Sequence, residues 1–260
     1  MTRPRKQATE TGYPLLEMFP LILSLILGII AGVANIFGGV IVYARPWSRT
    51  FLAYFIALGS GFMLATALTE MIPESIRLAP LQASLLILAG YFIVHFFEHS
   101  WPAHFHFGEE THADEFVNSR VAFTALTGLL IHTFFDGVAI ASGFLISTWL
   151  GMVIFGAVIL HNIPEGFTMA SIMLAAKKSR PQGLLAVSAL GVSRIIGILA
   201  MAAAERRVSY GLAISGGVTL YVAASDLIPE VNKMPGLRIA LVVAAGVLMV
   251  IVLRLLFATA

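Results

Sequence analysis

Residues 132–137 read HTFFDG and residues 161–166 read HNIPEG, and each hexamer lies in the middle of a long apolar run. In both, a histidine and a carboxylate are four residues apart, so one face of one helical turn carries both groups. Ionisable side chains at that depth in a bilayer usually mark an ion path or a buried polar partner. The pattern predicts a divalent metal site with ligands His132, Asp136, His161 and Glu165; the alternative is that the four only pair with one another.

The composition is that of an integral membrane protein. Hydrophobic residues make up 58% of the chain, charged residues 12%, and the mean hydropathy is +0.91, whereas globular domains carry about 25% charged residues. The formal net charge is +2 with no basic and aromatic patch, so we expect no nucleic-acid partner. The chain has no cysteine, which leaves nitrogen and oxygen as the main metal donors.

Apolar runs long enough to span a bilayer, about 20 residues each, predict eight transmembrane helices. They fall near 15–43, 51–72, 81–100, 120–144, 148–175, 182–204, 211–229 and 236–257. We therefore expect an all-α, multi-pass protein of the cell membrane (a bacterial inner membrane or its equivalent), surrounded by the lipid bilayer. Residues 1–260 form one membrane domain, with an N-terminal tail at 1–14 and a loop rich in histidine and acid at 101–119.

The sequence also repeats in mirror order. Residues 61–74 read GFMLATALTEMIPE and residues 217–230 read GVTLYVAASDLIPE, which places Glu70 opposite Asp226. The two segments lie on the second and seventh spans, which cross the membrane in opposite directions, as do the two hexamers on the fourth and fifth. This arrangement predicts inverted repeats that meet around a substrate site near the membrane midplane.

Two other polar features invite a structural or a functional interpretation. The loop histidines His104, His106 and His112, among neighbouring acids, can capture metal ions weakly, or the segment is a solvated polar loop. Asn35, in the first span, is interpreted as a helix-to-helix hydrogen bond rather than a ligand.

Together these motifs resemble the ZIP (ZRT/IRT-like) family of divalent metal transporters. The fourth-span family motif His-Asn-x-x-Asp/Glu-Gly is matched by His132, Thr133, Asp136 and Gly137, and the fifth-span motif is matched by HNIPEG. The resemblance implies a 3+2+3 inverted-repeat bundle, with termini outside and Zn²⁺ moving toward the cytosol by alternating access. It also suggests Met63 as a thioether ligand, the alternative being ordinary core packing.

The departures from the family pattern concern a second metal. Related bacterial members use the positions that here read Thr133, Asn162 and Arg194 for a second ion. A guanidinium keeps its charge, so we expect Arg194 to occupy that space and to bond to Asp136 or Glu165. The alternative is that Arg194 snorkels or pairs elsewhere.

The predicted function is therefore transport of a divalent cation, Zn²⁺ first, with Cd²⁺, Fe²⁺, Mn²⁺ and Co²⁺ as other cargoes. The metal is cargo, so no cofactor is expected, and a homodimer is a candidate assembly. Neither H-E-x-x-H nor G-x-S-x-G occurs, which argues against an enzyme. The alternatives are a membrane-embedded, metal-dependent hydrolase and a metal sensor.

Overall fold

The computed structural model describes residues 14–44, 49–100, 119–233 and 236–257. In these ranges the chain forms ten α-helices, joined in places by π-helical and 3₁₀ turns. The helices are α1 (Pro14–Ala44), α2 (Arg49–Thr66), α3 (Ile72–Leu78), α4 (Ala83–Ser100), α5 (Ser119–Ile146), α6 (Thr148–Ala175), α7 (Arg180–Ala203), α8 (Val208–Tyr221), α9 (Ile228–Asn232) and α10 (Leu237–Phe257). The tail and the loop with His104, His106 and His112 lie outside the described residues.

The described part of the chain contains seven helical segments long and apolar enough to cross a membrane. They are Met18–Ala44, Ala53–Leu78, Ala122–Ile146, Thr148–Ala175, Arg180–Ala203, Glu205–Asn232 and Leu237–Leu256. The remaining predicted span corresponds to α4, whose apolar part Ala83–Phe97 is shorter. The prediction of an all-α, multi-pass membrane protein is confirmed.

Two of these segments change helix type at the same point of the repeated sequence. A π-helical turn, Ala67–Met71, joins α2 to α3, and another, Val222–Leu227, joins α8 to α9. Each is followed by a proline near the start of the next helix, and because proline lacks an N–H, the regular hydrogen-bond ladder is interrupted there. Glu70 and Asp226 lie in the two π turns, so the predicted repeat has the same backbone irregularity in both halves.

Helix packing follows the same symmetry. In the inverted repeat, the first three spans correspond to the last three, and the fourth span corresponds to the fifth. The α1–α6 contact therefore corresponds to the α7–α5 contact, and the α2–α10 contact to the α8–α4 contact. All four contacts are extensive. Glycines lie at each crossing, where an added Cβ would be 1.9–2.3 Å from a carbonyl oxygen of the facing helix. They are Gly38 and Gly166, Gly137 and Gly197, Gly61 and Gly246, and Gly90 and Gly217. The inverted-repeat prediction is confirmed.

Buried polar residues concentrate where α1, α5, α6 and α7 meet. They include Asn35 of α1, His132 and Asp136 of α5, His161 and Glu165 of α6, and Arg194 of α7. The hexamers of the sequence therefore lie side by side inside the bundle, because α5 and α6 follow one another through a tight turn at Ser147 and pack together.

Candidate metal site

The centre of the site is a triangle of three side-chain atoms. His132 Nε2 lies 3.4 Å from His161 Nε2, His161 Nε2 lies 3.3 Å from Asp136 Oδ2, and His132 Nε2 lies 3.6 Å from Asp136 Oδ2. All three residues are at most 3% exposed. The predicted i, i+4 pair on α5 thus meets His161, the histidine of the α6 hexamer.

These spacings suit a small divalent cation. Ligand atoms at the usual Zn–N and Zn–O distances of about 2.0–2.1 Å, arranged tetrahedrally, are about 3.3–3.4 Å from one another. The observed edges of 3.3, 3.4 and 3.6 Å are therefore close to one face of a tetrahedron. An ion on this face would have two nitrogen donors and one carboxylate oxygen.

The tautomer of His161 is set by its own helix. Its Nδ1 lies 2.8 Å from the carbonyl oxygen of Ala157, and since a carbonyl only accepts, Nδ1 must be the donor. In the neutral ring the lone pair is then on Nε2, the atom that faces His132 and Asp136. This carbonyl–histidine contact is the arrangement that orients metal-binding histidines in general.

Glu165 is close to the triangle without being part of it. Among the described residues, His132, Asp136 and His161 form a group whose ligand atoms, one from each residue, all lie within 4.8 Å of one another. Glu165 is not part of this group. Glu165 is instead bound through Oε2 to the Asn35 amide, with Nδ2 at 2.7 Å. Its Oε1 has no hydrogen-bond partner among the described residues. The fourth predicted ligand is thus held beside the other three.

Arg194 is fully buried and connects both carboxylates. Its Nη2 lies 3.4 Å from Asp136 Oδ2, 3.5 Å from Glu165 Oε2 and 3.0 Å from Asn162 Oδ1. The guanidinium therefore lies beside the two acidic groups. With neutral histidines, two carboxylates and one guanidinium leave the site one negative charge, which favours a cation.

The other residues singled out from the sequence surround this centre. The Thr133 hydroxyl donates to Leu129 O of its own helix at 2.9 Å, and the Asn162 amide donates to Ala31 O of α1 at 2.8 Å. Met63 is 1% exposed and lies one helical turn after Gly59, where an added Cβ would be 3.6 Å from His161 Cβ. Met63 thus shares the face of α2 that packs on α6, and its role as a ligand stays a prediction.

Sequence reasoning found the Asn35 interhelical hydrogen bond but neither its partner nor its counterpart. Residues 32–38 read GVANIFG and residues 191–197 read GVSRIIG, which makes Asn35 and Arg194 equivalent positions of the repeat. The carbonyl of Asn35 lies against Gly166, and that of Arg194 against Gly137. Each of the two residues thus packs next to the glycine that follows a carboxylate, and this short match was the signal available.

A separate cavity of about 450 Å³ lies at one end of the bundle. It is lined by acidic groups of the first repeat, Glu70 and Glu74, and by Arg77, Trp149 and Arg254. Trp149 Nε1 donates to Glu70 Oε2 at 3.3 Å. This contact links the start of α6 to the first π turn.

Comparisons with known proteins agree with the motifs. The family model described as ZIP Zinc transporter matches residues 108–254. Metal cation symporter ZIP14 of Xenopus tropicalis is 32% identical over 108 residues, covering 40% of this chain and 23% of that protein. Zinc transporter ZIP9 of Xenopus tropicalis is 23% identical over 246 residues, covering 75% and 80%. Zinc transporter ZIP4 of Homo sapiens is 31% identical over 110 residues, covering 41% and 17%.

Proposed function

Because this chain belongs to the ZIP zinc transporter family, we propose that it carries a divalent metal cation across the membrane through the site at His132, Asp136, His161 and Glu165. Relatives named as zinc and metal-cation transporters support the cargo class. Zn²⁺ is the first candidate, and movement toward the cytosol is proposed on the family resemblance.

One observation supports this proposal most directly. Two imidazole nitrogens and a carboxylate oxygen lie 3.3–3.6 Å apart, at positions almost inaccessible to solvent. Burying a carboxylate is unfavourable unless an opposite charge or hydrogen bonds compensate for the lost hydration. An ion of charge +2 at the triangle would compensate Asp136 directly and would use all three lone pairs.

We further propose that the site holds one ion and that Arg194 stands in for a second. The guanidinium lies within 3.5 Å of oxygens from both carboxylates, which is where a second dication would repel the first. A fixed positive charge also weakens the attraction for the bound ion. This weakening suits a carrier, since the cargo must leave again.

The same contacts bear on the cargo. Imidazole nitrogen together with carboxylate oxygen suits Zn²⁺, and also Fe²⁺, Co²⁺, Mn²⁺ and Cd²⁺. Met63, if it contributes its thioether, would favour the softer ions of this group. A homodimer in the membrane remains a further proposal.

Transport is tested by zinc influx into sealed proteoliposomes that contain a zinc-sensitive dye. We expect influx for the unaltered chain and a loss of at least about tenfold for His161→Gln and for Glu165→Gln, with Ser24→Ala of α1 as the matched control. The Ser24 hydroxyl is buried and bonds to Pro20 O of its own helix. Zinc binding without influx in the unaltered chain would contradict a carrier and would favour the sensor or hydrolase alternatives.

The single-ion proposal is tested by counting bound zinc. Native mass spectrometry or equilibrium dialysis of the purified chain should give one zinc at the buried site. Replacing the cation by a ligand in Arg194→Glu should raise the ratio toward two. An unchanged ratio in a folded Arg194→Glu protein would refute the idea that Arg194 takes the place of a second ion.

A further inference from the structure

The two halves of the site hold their carboxylates differently. In one half, Arg194 approaches Asp136 at 3.4 Å, and Asp136 belongs to the triangle. In the other, Asn35 approaches Glu165 at 2.7 Å, and Glu165 does not belong to it. Asn35 and Arg194 occupy equivalent positions of the repeat, so the two carboxylates can be compared directly. Glu165, which accepts the short hydrogen bond from the Asn35 amide, is the carboxylate that lies outside the triangle.

The backbone around Asn35 cannot follow Glu165 if that side chain moves. Its carbonyl oxygen lies 1.9 Å from where a Cβ on Gly166 would be, and the neighbouring crossing places Gly38 against Ile163 O at 2.1 Å. Helices α1 and α6 are therefore in backbone contact at Asn35 and at Gly38, against α6 positions on both sides of Glu165. A Glu165 side chain that turns toward the triangle has to lengthen or break its bond to the amide.

The surroundings of Glu165 favour a turn of its side chain toward the triangle when an ion is bound. It is completely buried, its Oε1 has no hydrogen-bond partner within the described residues, and the guanidinium is 3.5 Å from Oε2. A dication at the triangle would offer this carboxylate a stronger electrostatic partner than a neutral amide. The Asn35 bond and the ion would then compete for one side chain.

We propose, on the basis of the proposed function, that Asn35 is a positioning residue that keeps Glu165 as a reserve ligand. The amide holds the carboxylate beside the His132–Asp136–His161 triangle while the site has no ion, and releases it when an ion arrives. As the ion departs, Asn35 takes the carboxylate back. The amide thereby weakens binding and speeds the release of the cargo.

The test compares zinc affinity and zinc release in the purified, full-length chain. Asn35→Ala removes the competitor for Glu165, so we expect zinc to bind on the order of tenfold more tightly and to dissociate correspondingly more slowly in a stopped-flow chelator assay. Ser24→Ala, another buried polar change on α1, should leave both values as in the unaltered chain. If the alanine variant does not fold, Asn35→Ser replaces it in the test, because the shorter serine side chain moves the hydrogen-bond donor away from Glu165.

A double-mutant cycle separates positioning from general damage to packing. In a Glu165→Gln background there is no charged ligand to hold back, so Asn35→Ala should no longer raise zinc affinity. Unchanged or weaker zinc binding in a folded Asn35 variant would overturn the reserve-ligand proposal alone. The same gain with and without the Glu165 carboxylate would also overturn it. Absence of zinc binding by the unaltered chain would instead defeat the proposed function.

Discussion

A single added methyl group at the α5–α7 crossing tests how tightly the bundle constrains the site. In Gly137→Ala, the new Cβ would lie 2.0 Å from the carbonyl oxygen of Arg194, 2.9 Å from its carbonyl carbon and 3.0 Å from the nitrogen of Ile198. Ordinary contacts of a Cβ are about 3.4 Å or longer, and tightly packed interiors adjust only partly, so the two helices must separate locally by at least about 1 Å.

The energetic outcome is the difference between two opposing effects. Overpacking of this kind costs about 1–3 kcal/mol, while replacing glycine by alanine in a helix gains up to about 1 kcal/mol. The separation also lengthens the 3.4 Å contact between Arg194 and Asp136 beyond hydrogen-bond distance. The same shift of α5 displaces Asp136, the residue before Gly137, from its place 3.3 Å from His161 on α6. Because this distorts the ligand triangle itself, we expect zinc affinity to fall by about tenfold or more.

The matched control is Gly128→Ala, which lies on the same helix. Its added Cβ would be 3.6 Å from the ring of Phe97, an ordinary contact, so this variant should be as stable as the unaltered chain or slightly more stable. The measurements are denaturant or thermal unfolding in detergent, and zinc titration by calorimetry. Gly137→Ala that equals Gly128→Ala in stability and binds zinc as tightly as the unaltered chain would refute the packing argument.

Three further changes have distinct expected outcomes. Arg194→Met leaves two buried carboxylates without their cation, so apo stability should fall by about 3–5 kcal/mol and recover in part when zinc is added, as unfolding curves with and without zinc would show; equal curves would contradict the charge balance. Asp136→Asn removes the carboxylate oxygen of the triangle, and calorimetry should show zinc affinity lowered by more than about 100-fold; tight binding would mean that the ion sits elsewhere. Trp149→Phe removes the donor to Glu70 and should cost about 1 kcal/mol of stability with zinc affinity unchanged, since residue 149 is about 18 Å along α6 from His161; a large affinity loss would connect the cavity to the site.

Much of the fold could be predicted because bilayer thickness limits the length of each span and because the repeats are visible as sequence. The pairing of His132 with Asp136 followed from helical periodicity, and the inverted order of the hexamers brought His161 to them. The repeat marked residues 61–74 and 217–230 as equivalent, but the π-helical turns within them were not predicted, because their form depends on how the following helices pack and is not written in any one residue.

The position of Glu165 could not be predicted in the same way. Helical spacing places it on the same face as His161, but a flexible side chain can turn toward either of two neighbours. The choice depends on α1, whose backbone comes close enough to offer the Asn35 amide only because residue 166 is glycine. Such a contact joins positions 130 residues apart, and only the match between GVANIFG and GVSRIIG pointed to it.

The central claim is that one transported dication is bound by His132, Asp136 and His161 in the middle of the bundle. The most direct test is an anomalous difference map from crystals soaked in zinc. The account predicts one strong peak inside the helix bundle, about 2.0–2.1 Å from His132 Nε2, Asp136 Oδ2 and His161 Nε2, with Arg194 in place beside it. Zinc peaks only at other positions, with no density at this triangle, would contradict it.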